Sequence, residues 1–328
     1  MLREFSLSFL TAYILFLGLC VVSSFLDKKH MSANYIRVLV IPLMVTFASD
    51  LYANEDRALW NRIGRIYLFC SVIFAVWVQK TYFPSYAFWL NARVYLFAQK
   101  NSAAQIWVSA ALFSVFLLDY RNTFEKIVVY LACAYLLLMT GVSQCRTAIL
   151  GLFVSFVSYS VFLARKKRKW LLIMAFAMIA AWLIPVSHRF IEQALFLNKY
   201  EGADLNAFSA GRIAYYQTAF RVIQSSPIFG IGKYYVDCSY LLILAESGIL
   251  GFILIEWVWI KKVAQCFQYR GDQKRRAFLF MITVFYLVES VLEGYPPFGP
   301  GVSSFMFWLI SGVLINQNRQ SHLAEPAG

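Results

Sequence analysis

The sequence predicts an all-α polytopic membrane protein with about ten transmembrane helices and one large extracytoplasmic loop. Hydrophobic residues make up 60% of the 328 positions and charged residues only 14%, whereas a soluble globular protein carries roughly 25% charged residues. Phenylalanine, tyrosine and tryptophan together reach 18%, which is typical of aromatic belts at two membrane interfaces. No internal repeat is evident, so we treat residues 1–328 as a single membrane domain.

The apolar segments are continuous runs rather than the alternating pattern of barrel strands, so each is predicted to be a helix. A helix needs about 20 mostly apolar residues to cross a bilayer, and fewer when it packs against neighbours. The first run is longer than a signal-peptide core and lacks a clear cleavage site, so we expect it to be retained. The predicted spans are 5–26, 36–53, 64–79, 103–118, 127–142, 147–164, 170–186, 239–260, 277–293 and 301–315.

Two strongly basic connections, 165–169 and 261–276, predict the orientation of the spans. An even number of spans separates them, so they lie on the same side, and lysine and arginine are enriched in cytoplasmic loops. This orientation places both termini in the cytoplasm, segment 187–238 outside, and 18 of the 30 basic residues in the cytoplasm. Because such basic loops are orientation signals, the net charge of +13 predicts no nucleic-acid partner.

Several cations are predicted on the outer side, against the usual bias. They are Arg93, Lys100, Arg146, Arg189, Arg212, Arg221 and Lys233. Retaining them there indicates either an anionic partner or a structural role. The planar guanidinium of Arg146, which follows the small polar group Thr140–Cys145, would suit a phosphate. An arginine at this boundary could equally reach lipid headgroups.

The outer loop is predicted to contain an amphipathic helix between Ser209, as N-cap, and Pro227. This helix would lie on the membrane surface or dock onto the bundle. Arg212 and Arg221 are nine residues apart and so point in opposite directions. Both can serve one site only if Arg212 binds from the first turn or if the helix bends. The predicted apolar stripe is Ile213, Tyr216, Phe220 and Ile223.

Three carboxylates lie in or near predicted spans. Glu246 lies seven residues inside 239–260, roughly 10 Å from its outer end at 1.5 Å per residue, and Glu289 and Glu293 lie near the outer end of 277–293. An ionisable group at such depth indicates function, unless it is paired with an arginine or protonated.

No metal or other cofactor is predicted. The six cysteines show no ligand spacing, and no Asp-x-Asp pair is present. Cys145 and Cys238 would both lie outside, where a disulfide could form, but we expect two free thiols. The short Gly230-Ile-Gly232 sequence lacks the pattern and the preceding strand of a nucleotide-binding loop.

The order of these motifs resembles the O-antigen polymerase and ligase superfamily over about residues 90–255. A polar Ser-x-x-Arg-Thr boundary ends in Arg146-Thr, and the outer loop carries Ser-x-Gly-Arg, ending at Arg212, and then Pro-x-x-Gly-x-Gly at 227–232. The next predicted span opens Asp237-x-Ser-Tyr-Leu and contains Glu246-x-Gly-Ile-Leu-Gly. Arg221 and Gly232 also match the Arg-x10-Gly spacing of the outer loops of these polymerases.

Ligases of this superfamily usually carry a histidine just before the span that follows the loop. Asp237 stands at that place here, which favours a Wzy-type polymerase of O-antigen or capsule repeat units. The resemblance implies metal-independent glycosyl transfer at the outer leaflet of a bacterial cytoplasmic membrane. The implied substrates are oligosaccharides linked to undecaprenyl pyrophosphate, and a chain-length regulator and a flippase are the implied partners. Membrane lipids would surround the protein.

The resemblance also suggests a role for each candidate residue. Arg146, Arg212 and Arg221 would bind the pyrophosphate, and Asp237 or Glu246 would act as general base on the acceptor hydroxyl. The further substrate-binding candidates are Arg93, Asn101, Gly230, Gly232 and Lys233. Two alternatives remain open: a ligase that transfers glycan to lipid A core or protein, and a glycan transporter or flippase, which should show related halves and midplane charges.

Overall fold

The computed structural model describes residues 11–12, 14–19, 21–22, 57–85, 94–164, 206, 209, 211–299 and 301–324. These residues are mostly helical, which confirms the all-α class. A two-residue antiparallel hairpin, β1 (Val94–Tyr95) and β2 (Ala98–Gln99), precedes the second helix. The helices are α1 (Arg57–Tyr82), α2 (Lys100–Leu117), α3 (Thr123–Val142), α4 (Arg146–Ala164), α5 (Arg212–Ser225), α6 (Ser239–Gln268), α7 (Gln273–Leu292) and α8 (Val302–Ala324).

The chain divides into two compact units. Unit 1 comprises 1–54, 204–271 and 289–328, and unit 2 comprises 55–203 and 272–288. Unit 1 therefore contains α5, α6 and α8, and unit 2 contains α1 to α4 and most of α7. The prediction of a single membrane domain stays a prediction.

Within unit 2, small residues on α2 let neighbouring helices approach closely. Its buried residues include Ala103, Ala104, Ala110 and Ala111 beside Trp107. Polar contacts fix the ends of the bundle. Arg65 on α1 lies 3.0 Å from Glu125 on α3, and Tyr135 on α3 donates to Gln79 on α1 at 2.6 Å.

Within unit 1, α6 is interrupted at Gly248, which has φ 66° and ψ −173°. The side chain of Tyr240 interacts with Glu256 and lies beside Trp259. A straight helix would hold Tyr240 and Glu256 about 24 Å apart along its axis, so the axis turns sharply at the glycine. The part after the break, 249–268, is about 30 Å long and can cross a bilayer by itself.

By length and composition, three of the described helices can cross a membrane: Ala58–Tyr82, Thr123–Val142 and Ser239–Gln268. A shorter apolar helix covers Arg146–Phe162. These correspond to predicted spans 64–79, 127–142, 239–260 and 147–164, and helices also cover 103–118, 277–293 and 301–315. Spans 36–53 and 170–186 lie outside the described residues, as do the basic segment 165–169 and Arg189. The number of ten spans and their orientation stay predictions.

The predicted loop helix is present as α5, and its packing face includes one residue of the predicted stripe, Tyr216. Ala219 is fully buried, whereas Ile213 is 37% exposed and Phe220 is 54% exposed. The packing face follows Arg212, Tyr216 and Ala219, because polar contacts of the first two hold the helix in place. Of the predicted apolar stripe, Tyr216 packs on the protein, whereas Ile213 and Phe220 are exposed, so the docking of the whole stripe stays a prediction.

Candidate functional site

The first turn of α5 is fixed by upstream polar groups. Gly211 adopts a left-handed conformation with φ 84°, which glycine tolerates without steric cost. The Asn206 side chain accepts from Ala214 N–H at 3.0 Å, and the Ser209 hydroxyl accepts from Ile213 N–H at 3.3 Å. Ser209 thus binds the first turn as predicted, although the N-cap position is occupied by Gly211. This arrangement makes Arg212 the first residue of the helix.

Arg212 lies between two carboxylates in unit 1. Its Nη2 donates to Glu293 Oε1 at 2.9 Å, and its Nε lies 3.8 Å from Asp237 Oδ2, which is too long for a hydrogen bond. The side chains of Arg212 and Glu293 are only 16% and 10% exposed. Arg212 Nε is buried and has no hydrogen-bond partner among the described residues. The cluster therefore contains one cation, two carboxylates and one unsatisfied donor.

Two tyrosine hydroxyls hold Asp237 in place. Tyr235 donates to Asp237 Oδ1 at 2.8 Å, and Tyr216 donates to the Asp237 backbone carbonyl at 2.8 Å. Burial, together with the Asp237 charge, raises the pKa of Tyr235 above its ordinary value, and burial raises the pKa of Tyr216 to about 12. Both phenols therefore keep their protons at neutral pH and act as donors. Asp237 Oδ2 remains without a hydrogen bond among the described residues, and its side chain is 33% exposed.

A small apolar cluster lies beneath these polar groups. Ala219, Val236 and Leu242 form its buried part. Tyr216, Tyr234, Leu241 and Tyr295 pack around it. A Cβ at Gly294 would lie 2.5 Å from the Val236 carbonyl, so only glycine allows segment 293–299 to approach segment 235–237 this closely. The cluster brings three segments that are distant in sequence to one place.

The Pro-x-x-Gly-x-Gly segment docks onto the break in α6. Ile231 N–H donates to Ala245 O at 2.9 Å, Gly232 N–H to Glu246 O at 3.0 Å, and Ile249 N–H to Pro227 O at 2.9 Å. Because the break at Gly248 removes these groups from the helical ladder, the loop satisfies them instead.

Gly230 and Gly248 are both required by this docking. Each has a positive φ, of 69° and 66°. A Cβ on Gly230 would collide with the Glu246 carbonyl, and one on Gly248 would collide with the Ile228 carbonyl. Gly230 and Gly232 were predicted to bind substrate, and the structure gives both a backbone role in holding the loop.

Glu246 is 3% exposed, and its Oε1 accepts from Tyr234 N–H at 3.3 Å. The carboxylate therefore supports the loop that follows the glycines. The predicted depth of about 10 Å concerns residues 239–246, which precede the break at Gly248, and it stays a prediction. This side chain is satisfied by the protein and is not open to a substrate hydroxyl in this conformation.

The remaining candidates lie elsewhere. Arg221 and Lys233 are exposed, and neither forms an ion pair in the described part of the chain. Arg146 begins α4, and Asn101 lies in the first turn of α2, both in unit 2. Arg93 lies outside the described residues. Of the predicted catalytic residues, the structure brings Arg212 and Asp237 together.

The first turns of α2 and α4 meet in unit 2. The Cys145 thiol lies 3.4 Å from the Lys100 carbonyl, and burial lowers the pKa of the Lys100 ammonium. Cys145 and Cys238 are free thiols, as expected. Across the described ranges, no group of three or more histidine, cysteine or acidic residues could hold a metal ion.

Residues 131–255 match a family model described as O-Antigen ligase. This match supports the resemblance to the O-antigen polymerase and ligase superfamily over that segment. No curated protein matches the chain. Every predicted catalytic residue lies within the matched segment 131–255. These residues are Arg146, Arg212, Arg221, Asp237 and Glu246. The matched segment extends from α3 to the middle of α6 and includes the docked loop and the break.

Glu293, which pairs with Arg212, and Tyr295, which packs on the apolar cluster, both lie beyond the matched segment 131–255. Glu293 was noted in the sequence as a carboxylate near a predicted span, but it could not be assigned a partner because Arg212 lies 81 positions away. Tyr295 had no signal of its own. In the sequence, these two residues are marked only by a glutamate at the end of an apolar run that is followed by a glycine and a tyrosine.

Proposed function

We propose that the protein is a glycosyltransferase that polymerises undecaprenyl-pyrophosphate-linked oligosaccharide repeats at the outer leaflet of a bacterial cytoplasmic membrane. The observation that carries this proposal is the cluster of Arg212, Asp237 and Glu293, which lies in and beside the segment that matches the family model. A cation and a carboxylate with an open oxygen lie within 3.8 Å of each other. Glycosyl transfer from a lipid diphosphate requires both groups.

In the proposed reaction, a hydroxyl oxygen of the acceptor repeat attacks the anomeric carbon of the growing glycan. The bond from that carbon to the pyrophosphate breaks, and its electron pair leaves with the pyrophosphate. The hydroxyl proton passes to Asp237. Cationic side chains stabilise the charge that develops on the leaving group, so no metal ion is needed. Anchoring both substrates in one membrane supplies proximity.

Asp237 suits the role of general base better than Glu246 does. Its Oδ2 accepts no hydrogen bond within the described part of the chain, and one third of its side chain is exposed. The Glu246 carboxylate is almost fully buried and accepts from the Tyr234 backbone. The hydrogen bond from Tyr235 leaves only one oxygen of Asp237 to receive the proton.

Arg212 cannot neutralise a diphosphate by itself. Together with Asp237 and Glu293 it carries a net charge of about −1, so further cations must meet the leaving group. Arg221 and Lys233, which lie in the same unit, are the proposed sources of this charge. Arg212 would contribute positive charge next to the base and hold the base in position.

The proposal is tested by the variant Arg212→Ala in cells. We expect loss of long-chain polymer, with single capped repeats remaining, while immunoblotting shows normal amounts of protein in the membrane. Arg275→Ala is a matched control, because Arg275 also pairs with an aspartate, Asp272, at 2.9 Å. That control should leave chain lengths unchanged. Normal chain lengths in the Arg212 variant would refute the assignment.

A ligase is the second candidate, because the matching family model is described as O-Antigen ligase. The two activities leave different products when the protein is deleted. Loss of a polymerase leaves single lipid-linked repeats, whereas loss of a ligase leaves unattached long chains. The aspartate at position 237, in place of a histidine, favours the polymerase.

A further inference from the structure

Tyr235 combines an anchored hydroxyl with an open ring. The residue is 50% exposed, yet its hydroxyl donates to Asp237 Oδ1 at 2.8 Å. The hydrogen bond fixes the direction of the side chain, so the exposed part is a preorganised aromatic surface. An aromatic anchor at a membrane interface normally turns its hydroxyl toward water or headgroups. Tyr235 turns its hydroxyl toward a carboxylate of the protein instead.

The ring of Tyr295 lies beside the ring of Tyr235, and hydrogen bonds hold the Tyr295 backbone in place. The two ring centroids are 5.5 Å apart, with their planes inclined by 50°. The Tyr295 carbonyl accepts from Phe298 N–H and Gly299 N–H at 3.0 Å each. Gly294, next to Tyr295, lies against the Val236 carbonyl. Both aromatic residues are therefore held by neighbours of the Arg212 cluster.

We propose that Tyr235 and Tyr295 form a platform that binds the pyranose ring of the acceptor sugar. One face of a pyranose presents C–H bonds, which pack well on the electron-rich face of an aromatic ring. The hydroxyls at the edge of the same sugar need polar partners, and Asp237 Oδ2 is the open acceptor at the hydroxyl end of Tyr235. A sugar stacked here presents a hydroxyl to the base.

This inference rests on the proposed function and adds a substrate class and a position to it. The platform explains why a half-exposed tyrosine is held so firmly. It also assigns separate tasks to the two parts of one side chain. The ring binds the sugar, and the hydroxyl positions Asp237.

The test measures binding without requiring turnover. The probe is the oligosaccharide repeat unit, released by mild acid from the lipid-linked repeats that accumulate in a strain lacking the protein. Saturation-transfer difference NMR on the full-length protein in detergent detects the sugar C–H protons that contact aromatic residues. We expect saturation of one sugar ring by the wild-type protein, at least a fivefold loss with Tyr235→Leu, and a smaller loss with Tyr235→Phe, which keeps the ring but lacks the hydrogen bond that fixes it.

Tyr215→Leu is the matched control, because Tyr215 is a tyrosine of the same loop that is 61% exposed but lies on α5. It should bind the sugar as the wild type does. Tyr295→Leu should reduce the saturation, and it decides the question if Tyr235→Leu does not accumulate. Equal saturation for the wild type and both leucine variants at 235 and 295 would overturn the platform.

Failure of the platform can be separated from failure of the proposed function. Asp237→Asn should still bind the oligosaccharide but should make no polymer in cells. If that variant loses polymer while the leucine variants bind normally, the polymerase proposal stands and the platform is wrong. If Asp237→Asn makes polymer of normal length, Asp237 is not the base. If a strain lacking the protein still makes long chains and leaves them unattached, the proposed polymerase function itself is wrong.

Discussion

The contact between Arg212 and Glu293 makes the sharpest prediction about this cluster. At an effective dielectric constant of about 20, two unit charges 2.9 Å apart attract by about 6 kcal/mol, and at 3.8 Å by about 4 kcal/mol. Glu293 therefore holds Arg212 more strongly than Asp237 does. Removing the charge on Glu293 leaves Asp237 as the anionic partner of Arg212 among the described residues, and the 3.8 Å gap should close.

The perturbation is Glu293→Gln, which keeps an acceptor of similar size but removes the charge. Closing the gap places a hydrogen bond on Asp237 Oδ2 and occupies the oxygen that serves as base. A charge-assisted hydrogen bond is worth about 1.5–3 kcal/mol, which corresponds to a loss of roughly 10-fold to 150-fold in rate. We expect this loss in the rate of chain extension, with normal amounts of protein in the membrane.

The assay follows the conversion of radiolabelled lipid-linked repeats to longer chains by protein in liposomes. Glu125→Gln is the matched control, because Glu125 pairs with Arg65 at 3.0 Å in unit 2. It should extend chains at the wild-type rate. Rates in the Glu293 variant that equal the wild type, while Arg212→Ala is inactive, would show that Arg212 acts without its partner and would refute the reasoning.

Three further predictions concern the scaffold of the site. Gly248→Ala should lower the melting temperature and the accumulation of the protein, because φ 66° with ψ −173° costs a non-glycine residue about 1–3 kcal/mol and the Cβ would collide with the loop. Gly301→Ala should lower neither, because a Cβ there would lie 4.0 Å from the Ser303 hydroxyl, at ordinary contact distance. Glu246→Gln should extend chains at a rate within about threefold of the wild type, because an amide oxygen still accepts from Tyr234 N–H. A complete loss of chain extension in this variant would make Glu246 the base. Tyr216→Phe should destabilise the protein by about 1 kcal/mol, measured by thermal melting, because two backbone carbonyls lose a donor, and an unchanged melting temperature would contradict this.

The helical class follows from hydropathy, because backbone groups in a membrane must be satisfied within each segment. The break in α6 does not follow from it. Residues 239–260 read as one predominantly apolar span. The groups freed at its break bond instead to a loop that ends seven residues before the helix begins. The glycines at 230 and 248 appeared in the motifs, but only the contact between them explains why both are needed.

The sequence likewise predicted one part of the candidate site and missed another. Arg212 and Asp237 were identified from their places in the motif order, and the structure brings them within 3.8 Å. Glu293 and Tyr295 could not be assigned, since a contact across about 80 residues depends on tertiary packing. Hydrophobicity identified Tyr216 as part of the packing stripe of α5, but it could not identify the ion pair of Arg212 or the hydrogen bonds of Tyr216.

The most direct test of the central claim uses purified protein in liposomes, undecaprenyl-pyrophosphate-linked repeats as the only sugar source, and excess EDTA. The account predicts a ladder of lengthening chains and release of undecaprenyl pyrophosphate, both absent with Asp237→Asn. A ladder that appears only after a divalent metal is added, or no chain growth with EDTA or with added metal, would contradict it.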